Sequence, residues 1–144
     1  MKIRNGFVSN SSSSSFVVTM KNGKSLTKDI LLKVFDVKKT SPLYKFANDL
    51  ADWIVKNVKE QSIRTIHNEY CNKKDISVDE MINEIIEDYG GMKKELLEKI
   101  ATGEYKYYSG YASDDSGYGL ETYLCETQMN IETDDIIIKS NGGY

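Results

Sequence analysis

The stretch Phe16-Val17-Val18-Thr19-Met20-Lys21-Asn22-Gly23 decides the fold class. Its first five residues are aromatic, β-branched or long and apolar, the composition of a strand. Asn22-Gly23 then favours a tight type I′ turn, because both residues tolerate positive φ. Beyond that dipeptide the apolar period lengthens. Ile30, Leu31, Val34 and Phe35 recur at helical spacing, and Ser25 or Thr27 stands where a cap is needed. A strand is thus followed by amphipathic helices, without the strand–helix alternation that a parallel sheet requires.

Toward the C-terminus the helical signals continue. Ser41-Pro42 reads as a helix start, with proline in the first turn. Leu43, Phe46, Ala47, Leu50, Trp53, Ile54 and Val58 form one apolar stripe, and Lys45, Asp49, Asp52, Lys56 and Lys59 occupy the opposite face. The helix extends toward Tyr70 or breaks near Gln61-Ser62. Ser77-Val78-Asp79-Glu80 is a capping box, followed by Met81, Ile82, Ile85 and Ile86 on one face and closed by Gly90-Gly91. A further helix runs from Met92 to Ala101 and stops at Gly103. Strands return near 104–111 and 135–139, with a short helix expected over Leu120 to Met129 and one more strand near 2–8. The predicted class is α+β: a small, mainly antiparallel sheet covered by four to five helices, in one domain spanning 1–144. Residues 9–15 read as a flexible serine-rich loop within it.

At 144 residues, with 40% apolar and 28% charged side chains, the chain has ordinary globular composition and the length of one domain. Wholesale disorder and a disulfide scaffold are both excluded. Cys71 and Cys125 read as free thiols of a reducing compartment. No run approaches the roughly 20 apolar residues of a membrane span. The start of the chain lacks the apolar core of a secretion signal. The expected location is therefore cytoplasmic, in the cell or a host, with no membrane partner. The net charge of −3 hides a polarity: residues 1–75 carry 14 Lys/Arg against 7 Asp/Glu, whereas residues 76–144 carry 5 against 15. The plain reading is that the halves pack on one another. The sharper readings are a homo-oligomer or a charged face for a partner.

Four motifs could carry chemistry. Ser9, Asn10, Ser11, Ser12 and Ser13 present small polar groups that could line a phosphate loop, yet lack the spaced glycines and lysine of a nucleotide cradle. Asp114 and Asp115 are weak metal candidates with the oxygen chemistry of a hard cation, but without EF-hand spacing. His67 and Cys71, four apart on a helix, could share a face; no second ligand pair or orienting residue accompanies them, and a surface or partly buried position near a helix end is the default. Tyr105, Tyr107, Tyr108, Tyr111 and Tyr118 fall within 14 residues. Tyrosine offers large contact area at low entropy cost. The acids around these tyrosines disfavour phosphate-bearing partners, so a protein partner is expected and nucleic acid is not.

Arg4-Asn5-Gly6-Phe7-Val8-Ser9-Asn10-Ser11-Ser12-Ser13-Ser14-Ser15-Phe16 resembles an N-terminal signature shared by many small bacterial and phage or prophage proteins of unassigned activity. The resemblance covers about the first 17 residues. It implies a mobile-element association and no activity. With no complete catalytic constellation and no cofactor motif, the sequence favours a non-enzymatic interaction or regulatory module using the tyrosine-rich region. The alternative is a phosphate- or nucleotide-binding protein or enzyme using the serine loop with Asp114 and Asp115.

Overall fold

In the computed structural model, the strand read at 16–20 is the middle of a five-stranded antiparallel sheet. The structure describes residues 13–70, 76–89, 92–113, 119–120, 123 and 128–140. Their elements, in chain order, are β1 (Ser13–Met20), α1 (Lys28–Phe35), α2 (Tyr44–Asn57), β2 (Lys59–Gln61), α3 (Ile63–Tyr70), α4 (Val78–Tyr89), α5 (Lys94–Thr102), β3 (Lys106–Ser113), β4 (Asn130–Glu132) and β5 (Ile136–Ser140). The sheet order is β2-β3-β1-β5-β4, and every pairing is antiparallel. The α+β class is therefore as read from the sequence. The strand expected near 2–8 and the glycines expected to close α4 lie outside the described residues.

β1 comes from the basic half of the chain and is flanked by β3 and β5 from the acidic half. The two halves thus interleave within one sheet. Lys21 Nζ, just past β1, donates to Glu132 Oε2 at 2.9 Å and to the Thr133 carbonyl at 3.1 Å, tying the end of β1 to β4.

Helices cover both faces of the sheet, and β1 contributes apolar side chains to each. Phe16, Val18 and Met20 join Leu31, Leu50, Ala51, Trp53 and Ile54 of α1 and α2, with Tyr108, Ile136 and Ile138 from neighbouring strands. Val17 faces the other way, with Tyr107, toward Ile63, Ile66, Met81, Ile82, Ile85, Leu97 and Ile100 of α3 to α5. The result is three layers, helix–sheet–helix, with a core on each side of the sheet. Gly110 lets β3 approach the end of α2. A Cβ there would stand 2.6 Å from the Asn57 carbonyl oxygen and 3.0 Å from the Phe16 ring.

The local signals act largely as expected. Thr27 Oγ1 accepts the Ile30 N–H at 3.3 Å, capping α1, and Ser77 Oγ accepts the Glu80 N–H at 3.2 Å. Gly103 ends α5 in the left-handed conformation, φ 86. α2 and α3 are separate helices. Val58 turns extended, and Ser62 and Thr65 cap α3 reciprocally: the Thr65 N–H donates to Ser62 Oγ, and the Ser62 N–H donates to Thr65 Oγ1. β2 occupies the break.

Two expectations are corrected. Ser13, Ser14 and Ser15 are not part of a loop: they open β1, in register with Ser113, Ala112 and Tyr111 of β3. β3 pairs them along one side, so the extended ladder continues through them. The helix expected to reach Met129 does not reach it. Asn130 opens β4, and the Met129 carbonyl already accepts the Ser140 N–H at 2.8 Å.

Candidate functional site

Alternation along β3 sends the tyrosines to different places. Tyr108 points into the α1–α2 core and is buried; its hydroxyl accepts the Leu26 N–H at 3.1 Å. Tyr107 points to the opposite face and is buried against α3 to α5. Tyr105 is half-buried. Lys99 Nζ donates to its hydroxyl at 3.3 Å and stands 4.9 Å from its ring centroid. That hydrogen bond holds the Lys99 ammonium above its ordinary pKa. Tyr111 is 68% exposed, on the same face as Tyr107. Tyr118 lies outside the described residues. Within this cluster, then, Tyr107 and Tyr108 are core side chains, and Tyr111 presents a ring to solvent.

Of the phosphate-loop and metal candidates only Ser13 is described, and it opens β1. Ser9, Asn10, Ser11, Ser12, Asp114 and Asp115 lie outside the described residues. Among the described residues, no group of three or more His, Cys, Asp or Glu is placed to hold a metal ion. His67 departs from the expected surface or partly buried position: it is only 1% exposed, because α3 turns that face onto α4. Its Nε2 lies 3.1 Å from Glu84 Oε1, and its Nδ1 is buried without a hydrogen-bond partner among the described residues. The pair joins two helices. Cys71 lies outside the described residues.

A site that sequence reasoning did not find forms where α2 begins. Phe35, Val37, Leu43, Phe46, Leu50, Tyr123, Met129 and Ile131 line an open, mainly apolar groove of about 570 Å³ between α1, α2 and β4. The chain reaches it through a turn. The Ser41 N–H donates to the Lys38 carbonyl, Ser41 Oγ accepts the Leu43 N–H at 3.1 Å, and the Ser41 carbonyl accepts the Tyr44 N–H. Leu43 therefore sits just ahead of α2, with its side chain 64% exposed. Phe46 is 38% exposed and meets Tyr123 edge-on, with ring centroids 5.0 Å apart. Between Val37 and Leu43 the rim carries exposed Lys38 and Lys39, which have no ion-pair partner among the described residues; Lys45 pairs with Asp49 at 2.9 Å. Leu43 and Phe46 are indistinguishable in sequence from the rest of the α2 stripe. The one available signal is that this stripe begins directly at the proline turn, before the helix has covered the sheet.

No helix among the described residues is long and apolar enough to cross a membrane. No protein-family model, no curated protein and no solved structure matches this chain.

Proposed function

We propose that this protein is a non-enzymatic protein-interaction module whose contact surface is the groove at the start of α2. One observation carries the reading. Of the five large apolar side chains exposed among the described residues, Leu43, Phe46 and Tyr123 converge on this groove. Apolar side chains scattered singly over a surface need no explanation, whereas a contiguous patch with aromatic members is the mark of a binding surface. The N-terminal resemblance adds a phage or mobile-element setting to this proposal. The alternative of a phosphate or nucleotide ligand rests on Ser13, which opens β1, and otherwise on residues outside those described.

Native mass spectrometry of the tagged chain recovered from a host-like lysate tests the reading. A stoichiometric protein partner that is lost on Leu43→Asp and kept on Tyr111→Ala is expected. A partner retained by Leu43→Asp moves the surface away from the groove. A reproducible nucleotide-sized mass excess in place of a protein overturns the proposal.

A further inference from the structure

We propose that the groove receives an extended, acidic segment of a partner protein, with alternating apolar residues, which adds as a strand to the outer edge of β4. This rests on the protein-interaction reading above and says what chemistry the partner brings.

The backbone supplies the first argument. β4 is a terminal strand of the sheet and pairs with β5 alone among the described strands. Its ladder phase follows from two bonds: the Ser140 N–H donates to the Met129 carbonyl, and the Thr133 N–H donates to the Ile136 carbonyl, both at 2.8 Å. Antiparallel pairing alternates, so Met129, Ile131 and Thr133 turn their backbone groups toward β5, and Asn130 and Glu132 turn theirs outward. Those outward groups are the template for an added strand.

The side chains supply the second. Ile131 lies opposite Ile138, on the helix-covered face, and lines the groove. An added strand would continue that face, and its alternate side chains would fall beside Leu43, Phe46 and Tyr123. β2, the other terminal strand, carries Lys59, Glu60 and Gln61, and the pocket that Gln61 lines holds only about 50 Å³.

Charge supplies the third and selects the occupant. The turn at the groove rim carries Lys38 and Lys39, without an ion-pair partner among the described residues, against the single Asp36, while Asp49 is engaged by Lys45 and Glu132 by Lys21 on the other face of the sheet. A segment with carboxylates between its apolar residues complements this rim. A basic segment would meet like charge. A second copy of this chain would bring its own two rim lysines against these.

A random peptide library displayed against the full chain tests this, followed by binding measurements on the enriched synthetic peptides. The expected peptides alternate apolar residues with Asp or Glu. Their affinity should fall about tenfold or more in Leu43→Asp. It should also fall in the double variant Lys38→Glu with Lys39→Glu, and stay unchanged in Tyr111→Ala. N-methylation of alternate peptide amides reads the strand mode: methylating one set abolishes binding and methylating the other leaves it intact. Peptides that need Leu43 but are not enriched in acid overturn the acidic occupant, and peptides that ignore the methylation phase overturn strand addition, while the interaction reading stands. Failure of any peptide to enrich, or a sedimentation dimer that Ile131→Lys dissolves, overturns the acidic segment as occupant. The interaction reading itself falls only if the lysate capture described above yields no protein partner.

Discussion

The two ends of α2 carry one continuous apolar stripe and have opposite fates. At the C-terminal end Ala51, Trp53 and Ile54 lie over β1 and β3 and are 0–8% exposed, with the Trp53 ring 5.2 Å from Phe16. At the N-terminal end Leu43 and Phe46 overhang β4, where the sheet stops, and are 64% and 38% exposed. The residue types and the helix are the same; the underlying sheet differs. One end stabilises the fold, and the other remains available to a partner. The apolar character of a helix stripe therefore states what can be buried, and the width of the sheet states what is buried.

Substitution at the buried end gives the largest expected effect. Ile54→Ala should cost about 2–5 kcal/mol, because a fully enclosed side chain leaves a cavity that the sheet and α2 cannot close. Gly110→Ala should be comparably severe, since its Cβ would meet the Asn57 backbone carbonyl, which a rotamer change cannot move. Urea unfolding monitored by Trp53 fluorescence measures both. An Ile54→Ala midpoint equal to wild type would mean that this end of α2 is not packed as described.

The opposite helix layer provides an intermediate case. Glu84→Ala removes the partner of His67 Nε2 in a site where Nδ1 already has none. Stranding a buried polar group costs about 1–3 kcal/mol. The loss should appear in the same unfolding curves, and Glu84→Gln, which keeps an acceptor, should recover part of it.

At the open end the expectation reverses. Leu43→Ser should change stability by no more than about 0.5 kcal/mol, as for exposed positions generally, while removing partner capture. A large drop in melting temperature would show that Leu43 is packed, and would erase the contrast between the two ends.

The smallest effect concerns the tie beneath the groove. The Lys21 hydrogen bond holds the Glu132 carboxyl below its ordinary pKa. A carboxyl depressed in the folded state contributes stability above its unfolded pKa and loses it as pH falls through the folded value. Glu132→Gln should therefore be slightly less stable than wild type at neutral pH, and the gap should close in acid. A gap that persists at low pH would mean that the charge on Glu132 is not its cause.

Much of the fold was legible because its signals are local. Phe16 to Met20 read as strand from composition, and the helices from 28 to 102 read from their spacing, caps and glycine stops. β2 and β4 were not legible. Lys59-Glu60-Gln61 has no strand composition and is extended because it borders β3; Asn130-Ile131-Glu132 is extended because it borders β5. The candidate site was less legible still. Tyrosine count drew attention to Tyr107 and Tyr108, which the alternation of β3 places in opposite cores. Leu43 and Phe46 were read as ordinary members of a buried stripe.

The sequence by itself determined the α+β class, the caps of α1 and α4 and the stop of α5, because these depend on residues within a few positions of one another; α2, expected to start at Ser41-Pro42, starts at Tyr44. Tertiary structure alone decided that β1 lies between β3 and β5, that both sheet faces carry helices, and that α2 overruns the sheet at β4. Those outcomes depend on contacts between residues as far apart as Lys21 and Glu132. A helix repeats its own period whether or not a sheet lies beneath it, so no local pattern reports where the sheet ends.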